Sequence, residues 1–232
     1  MNVLKQQKIF SEIYNLGIED ADTITNIKFI NHALVIKDPV LEIGSGKGYV
    51  LNYLTNGGFD VVGVEVSEEA VKYTQNNYNN SKIFLYDGKN LPFDSSTFNT
   101  VLSFDVIEHI ETVKFHLLEV YRVLKTNGIY AFQTPNILTN LPKEIVFRGG
   151  IKKARDFHPS VQSYFSLKNL LTNCGFNFRF ISMPLISEEK YNLLSVRSLI
   201  WKAASKILKH FPYKIVPVFL RPNFWVIANK LN

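Results

Sequence analysis

The sequence predicts an α/β fold, and two observations carry that prediction. Apolar runs of strand length recur between segments of helical periodicity. One of them, Val40-Leu41-Glu42-Ile43, breaks into Gly44-Ser45-Gly46-Lys47-Gly48 before a new apolar-periodic stretch. That second pattern reads as strand, tight turn and helix start. Glycines lack Cβ, so they take positive φ and let a ligand lie against the backbone, with the N–H groups of the following helix turned toward it. The 232 residues suffice for one domain with a sizeable core. A single domain, 1–232, is therefore expected.

Composition narrows the function classes. Cys174 is the one cysteine, which leaves no disulfide framework and no cysteine-based zinc site within the chain and fits a reducing compartment. The first residues lack the apolar core of a signal peptide, and no apolar run approaches the roughly 18 residues that span a bilayer. A cytoplasmic protein is expected. Lys and Arg number 26 against 20 Asp and Glu. Residues 1–183 hold 18 of each sign, so the whole excess lies in the last 49 residues, with 8 basic and 2 acidic groups. Such a distribution argues for one local basic patch and against a nucleic-acid surface.

Taken in order, residues 1–38 show helical spacing at Ile9, Ile13 and Leu16, and again at Ile27, Ile30 and Leu34, as expected of two leader helices. A strand over Pro39–Ile43 follows, then a helix near Lys47–Asn56 with Gly57-Gly58 as its stop. The run Val61–Val66 contains Glu65 about 20 residues after the glycine turn; at a strand's carboxyl end such an acid can accept both hydrogen bonds of a ribose diol, or it is merely a solvated strand-end group. Ser67 caps a helix running toward Asn77. Ile83–Tyr86 is the third strand and ends in Asp87-Gly88. Thr100–Phe104, the fourth, leads into Asp105-Val106-Ile107-Glu108-His109-Ile110. If a helix begins there, Asp105, Glu108 and His109 share a face at i, i+3 and i+4. Two carboxylates and an imidazole suit Mg²⁺, Mn²⁺ or Zn²⁺; a pocket wall, an acid/base pair and a helix cap are the alternatives.

An amphipathic helix over Thr112–Leu124 places Val113, Leu117, Val120 and Leu124 on one side, and the turn Lys125–Gly128 feeds a fifth strand, Ile129–Gln133. Asn136, just beyond it, either contacts an acceptor or caps the loop. Residues 137–160 have poor patterning and read as a long connection containing Arg148-Gly149-Gly150 and His158. A helix around Leu170-Leu171, stopped by Gly175, precedes a sixth strand. A helix from Tyr191 to His210 opposes Lys202, Lys206 and Lys209 to an apolar side, and Phe224–Lys230 is the closing strand. The basic insertion 184–222 either packs on the domain or lies on a membrane surface through 191–221.

Several of these stretches carry a resemblance. Glu42-x-Gly44-x-Gly46-x-Gly48 resembles the first motif of the class I S-adenosylmethionine-dependent methyltransferases. Tyr49 stands where a dinucleotide fingerprint has its last glycine, so a nicotinamide-dependent oxidoreductase is the poorer alternative. Leu91-Pro92-Phe93 through Phe98-Asn99 resembles the Leu-Pro-Phe-x-x-x-x-Phe-Asp signature of the small-molecule, ubiquinone/menaquinone-biosynthesis group, with Asn99 in place of aspartate. Asp105-x-x-Glu108-His109 is similar to an element of the ubiquinone-pathway O-methyltransferases, which in some members holds a divalent cation. Lys125-Thr126-Asn127-Gly128 resembles a Leu-Lys-Pro-Gly-Gly turn, and His158 followed by Phe165-Ser166, Leu170-Leu171 and Gly175-Phe176 resembles the same group.

The resemblance implies a Rossmann-like three-layer sandwich whose mostly parallel seven-stranded sheet has an antiparallel last strand, with 1–38 as a lid or as packing. It implies S-adenosylmethionine as cofactor, held by Glu42, Gly44, Ser45, Gly46, Gly48, Glu65, Val66, Asp87, Gly88 and Phe104, with Glu65 on the ribose, Val66 on the adenine ring and Asp87 on the adenine amino group. Glu108, His109 and His158 are the implied catalytic set, and Asp105, Glu108 and His109 the implied metal ligands. The expected activity is methyl transfer to an oxygen (or carbon) of a small-molecule acceptor, lipid-linked or glycan-type, with no nucleic-acid partner. A silent cofactor-binding interaction module is the alternative from another class.

Overall fold

A computed structural model describes residues 19–184 and 213–231. The expected helices over 1–18 and Tyr191–His210, including Lys202, Lys206 and Lys209, lie outside the described residues.

Seven strands form one sheet: β1 (Val40–Ile43), β2 (Val61–Glu65), β3 (Lys82–Leu85), β4 (Phe98–Phe104), β5 (Leu124–Pro135), β6 (Phe176–Ile181) and β7 (Asn223–Lys230). Their spatial order is β3-β2-β1-β4-β5-β7-β6. The first five pair in parallel, and β7 runs antiparallel to both β5 and β6. All four residues of β1 are buried, as befits a parallel strand covered on both faces.

Alternation along the strands sorts the core into two layers. Leu41, Ile43, Val101, Tyr130, Phe132, Phe224 and Val226 face one side, where they meet Val113, Leu117 and Val120 of α4 (Val113–Val123) and Leu167 and Leu171 of α7 (Tyr164–Asn173). Val40, Leu102, Ala131, Trp225 and Ile227 face the other. There they meet α1 (Glu19–Ala33), α2 (Tyr49–Asn56) and α3 (Glu68–Asn77). Within α1, Phe29 is fully buried, its ring 4.9 Å from Trp225 and 6.2 Å from Phe104. This part of the leader packs on the sheet.

Two expectations are corrected, and a third is decided between its alternatives. Residues 137–160 are not a structureless connection: they form α5 (Ile137–Arg148) and α6 (Ile151–Phe157), broken at Gly149-Gly150. No helix starts at Asp105. That residue adopts a left-handed φ of 54°, its N–H donating to the backbone and side-chain carbonyls of Gln133, and a single 3-10 turn, Ile107–His109, follows. Asn136 caps α5 through Leu138 N–H and donates to the carbonyls of Phe219 and Arg221, so its side chain serves the fold. The Asn127 turn, in contrast, takes the expected left-handed φ, at 62°.

Strand order reverses between β2 and β4 on either side of β1. Ligands of open α/β sheets bind at such a switch point, beyond the carboxyl ends of the strands.

Candidate functional site

A cavity of about 400 Å³ opens at that switch point, a volume within the range of small-molecule sites. Its wall is built from the loops after β1 to β4: Gly44, then Glu65 and Val66, then Tyr86 to Lys89, then Asp105, Val106 and His109 to Thr112, closed by Phe115 and His116 of α4. Glycine is required where these loops meet. A Cβ on Gly44 would overlap Val106 Cγ2, and one on Gly48 would stand 2.5 Å from Thr74 Cγ2, both at positive φ.

Three backbone donors clamp Glu65. Gly46 N–H donates to Oε2 at 2.9 Å, and Val66 and Ser67 N–H donate to Oε1 at 2.8 and 2.9 Å. Burial raises its pKa, and the three N–H groups act against that rise. Asp87 is exposed and held in a turn by the N–H groups of Lys89 and Asn90, at 2.8 and 2.9 Å. Although desolvation opposes it, these donors keep its carboxyl below the ordinary range.

Glu42 stands apart from the other two acids. It is buried behind the lining residues, close enough to Glu65 to feel its charge, and its Oε2 has no hydrogen-bond partner. Burial first, and Glu65 after it, push its carboxyl up to about 8. An unpartnered, buried carboxylate oxygen beside a ligand cavity fits a cationic ligand, which S-adenosylmethionine is. The residues present therefore fit such a donor: acids and glycines line the cavity and a buried, unpartnered carboxylate oxygen lies behind it.

Of the other expected donor residues, Ser45 closes the turn, its Oγ donating to Glu42 O and its carbonyl accepting from Gly48 N–H. Phe104 is not among the cavity's lining residues; it packs between Phe29 and Trp225.

The expected catalytic residues come together. Ligand-type atoms of Glu108, His109 and His158 lie within 4.8 Å of one another. The rings of His109 and His158 are 4.8 Å apart, and His109 Nδ1 sits 3.0 Å from the Phe157 carbonyl. His158 Nδ1 is buried without a partner. Desolvation pushes both imidazoles down to about 3, so both are neutral. Only His109 of the three lines the cavity. Glu108 is buried and accepts from Thr134 Oγ1 at 2.9 Å; burial, then the adjacent Asp105 carboxyl, raise it well above its ordinary range, as when two acids share one proton. The metal-type set is thus Glu108, His109 and His158, with His158 in the place expected of Asp105.

His116 was not singled out by the sequence. Its ring lines the cavity, and Nε2 lies 3.2 Å from Tyr130 OH, which in turn is 2.6 Å from Ser103 Oγ. A signal existed: position 116 interrupts the otherwise apolar buried face of α4.

Comparisons with known proteins agree with this geometry. Residues 41–132 match the family profile described as a methyltransferase domain. A Mycolicibacterium smegmatis protein named a probable S-adenosylmethionine-dependent methyltransferase is 28% identical over 137 residues, 59% of this chain and 51% of its own length. A ubiquinone biosynthesis O-methyltransferase of Pelagibacter ubique is 25% identical over 42% of each chain. The chain spans about half the length of the curated relatives it matches. Among solved structures, a Haloferax volcanii protein in complex with the Trm112 methyltransferase activator superposes with a TM-score of 0.70 at 14% identity, covering 97% of both chains. The nicotinamide alternative gains nothing from these matches. The matched segment, residues 41–132, holds the glycine turn, Glu42, Glu65, Asp87 and the Asp105–His109 loop, and it is this part of the chain that is similar to the S-adenosylmethionine-dependent methyltransferases.

Proposed function

We propose that the protein transfers the methyl group of S-adenosylmethionine to an oxygen, or a carbon, of a small-molecule acceptor entering at the His109 end of the cavity, with lipid-linked and glycan-type compounds as the acceptor classes. One observation carries the reading: a single cavity has Gly44, Glu65, Val66, Asp87 and Gly88 at one part of its wall and His109, Thr112 and His116 at another. The donor, when bound, supplies a sulfonium that is already a good leaving group. What remains for the chain is to hold the nucleophile in line and exclude water, and positioning of that kind accounts for much of such catalysis.

His109 suits the orienting role. Its neutral imidazole can accept a hydrogen bond from an acceptor hydroxyl without adding charge beside a cation, whereas a value of about 3 makes it a weak base. His158 acts behind it, ring against ring. Two imidazoles and a carboxylate would also suit Zn²⁺ or Mn²⁺, and a cation there would polarise the acceptor oxygen. A peripheral contact with the inner face of the membrane through 191–221 is inferred from its sequence charge alone. Among the described residues no helix is long and apolar enough to cross a membrane.

Calorimetric titration with S-adenosylhomocysteine tests the donor assignment. Glu65→Gln and Asp87→Ala should each weaken binding about tenfold or more, and unchanged affinity in both would overturn it. A cell extract supplied with labelled donor separates enzyme from silent module: label passing into a metabolite supports transfer, and donor binding with no product supports the module.

A further inference from the structure

We propose that the helical hairpin made by α5 and α6 is a contact for an anionic lipid surface, entering the interface with Val146, Phe147 and Ile151 and meeting headgroup charge with Lys143, Lys152, Lys153 and Arg155. Those apolar side chains are 83%, 77% and 49% exposed. They are neighbours on either side of Gly149-Gly150, at the hairpin's tip. A Cβ built on either glycine meets nothing within 4 Å, so the tip stands in open space.

Both helices are two-faced. Lys143, Val146 and Phe147 share one side of α5 at i, i+3 and i+4, while Glu144 is turned inward and bonded by Arg148 Nε. On α6, Ala154 and Phe157 are buried, and Ile151, Lys152, Lys153 and Arg155 are exposed. Single exposed hydrophobics are ordinary, but three large ones at one projecting tip are not.

Charge and size select the partner. Cations dominate the exposed side, with one inward-turned acid and Asp156 against four outward cations. Three side chains fall far short of the roughly 800 Å² per partner of a stable protein interface. They suffice for interfacial anchoring, which needs a few apolar groups flanked by Lys and Arg. The arm is also tied to the site. The Arg148 guanidinium lies 3.2 Å over the Phe157 ring, and the Phe157 carbonyl holds His109 Nδ1 at 3.0 Å. A lipid surface under the tip is thereby linked, through two contacts, to the part of the cavity assigned to the acceptor.

The test is co-sedimentation of the full chain with phosphatidylcholine vesicles, with and without phosphatidylglycerol, in the absence of donor and acceptor, so its failure would leave methyl transfer untouched. The parent should bind the anionic vesicles only, and less as salt is raised. Phe147→Ser combined with Ile151→Ser should lower the partition coefficient at least ~10-fold, and Lys152→Glu combined with Lys153→Glu by a similar factor. Val35→Ser should change nothing: that side chain is 78% exposed but precedes β1, at the opposite end of the sheet. All altered side chains are exposed, so thermal midpoints should match the parent's. Absence of binding by the parent would overturn the proposal. So would undiminished binding in both double variants, which would move the affinity to residues 185–212, or a dimer lost on Phe147→Ser, which would make the tip a contact between copies.

Discussion

Replacing Glu42 by glutamine should strengthen the fold and weaken the site at once. The carboxyl, ordinarily 4.5, is raised to about 8 chiefly by burial. The folded state therefore keeps a proton that the unfolded chain has released at neutral pH. For a raised acid the associated stability is full near pH 4.5 and is lost as pH climbs toward 8, at about 1.4 kcal/mol for each unit. At pH 7 the loss amounts to about 3 kcal/mol. Glutamine has the shape of the protonated acid and does not titrate, so it removes most of that loss. Burying its amide costs part of the gain, about 1–2 kcal/mol. The variant should thus be about 1–2 kcal/mol more stable than the parent at pH 7, more so at pH 8, and no better at pH 5. Urea unfolding at the three pH values measures this, and titration with S-adenosylmethionine should show weaker binding because the cation has lost its counter-charge. An equal gain at pH 5 and pH 8, or no gain at pH 8, would refute the reasoning.

Other outcomes follow from the same geometry. Gly48→Ala should lower stability by about 2–4 kcal/mol, because its φ of 74° and Thr74 Cγ2 at 2.5 Å act together, whereas Gly58→Ala, at φ 84° with open space around it, should cost only about 1 kcal/mol; thermal unfolding separates the two. His116 is buried with a value pushed down to about 4, a depressed base whose contribution is full above pH 6.5 and is lost as pH falls to 4. His116→Leu should therefore gain on the parent by about 1.4 kcal/mol per unit of acidification across that window, and a pH-independent difference in urea midpoint would show that the imidazole is not buried in its neutral form. Binding of a cation beside Glu42 should ionise it, so titrations with S-adenosylmethionine near pH 7 should release a proton, seen as an enthalpy that changes with the buffer's ionisation heat. Glu42→Gln should abolish the buffer dependence, and a parent without it would remove Glu42 from the donor site.

The frame of the fold was legible because its signals are local. Val40–Ile43, the glycines after it and the acid ending β2 are each specified within a few residues, by strand period, by positive φ and by strand length. Their convergence on one cavity follows from parallel strands, whose carboxyl ends share an edge. The hairpin α5–α6 was hidden because Pro142 and two glycines interrupt the helical period, and because Glu144, Ala154 and Phe157 are its buried positions, too few to make a stripe. Asp105 takes its left-handed backbone from Gln133, 28 residues downstream, and no feature of Asp105-Val106-Ile107 announces that.

The chemistry of the site depends still more on distant parts of the chain. Glu42, Glu108, His109 and His158 are ordinary titratable residues in the sequence. Packing makes the first two reluctant to ionise and the last two reluctant to accept a proton, because burial disfavours whichever form carries charge. Burial thus leaves the Glu42 and Glu108 carboxyls protonated and both imidazoles neutral, while Asp87 keeps its charge, so a cation bound in this cavity would meet carboxyl groups and no imidazolium.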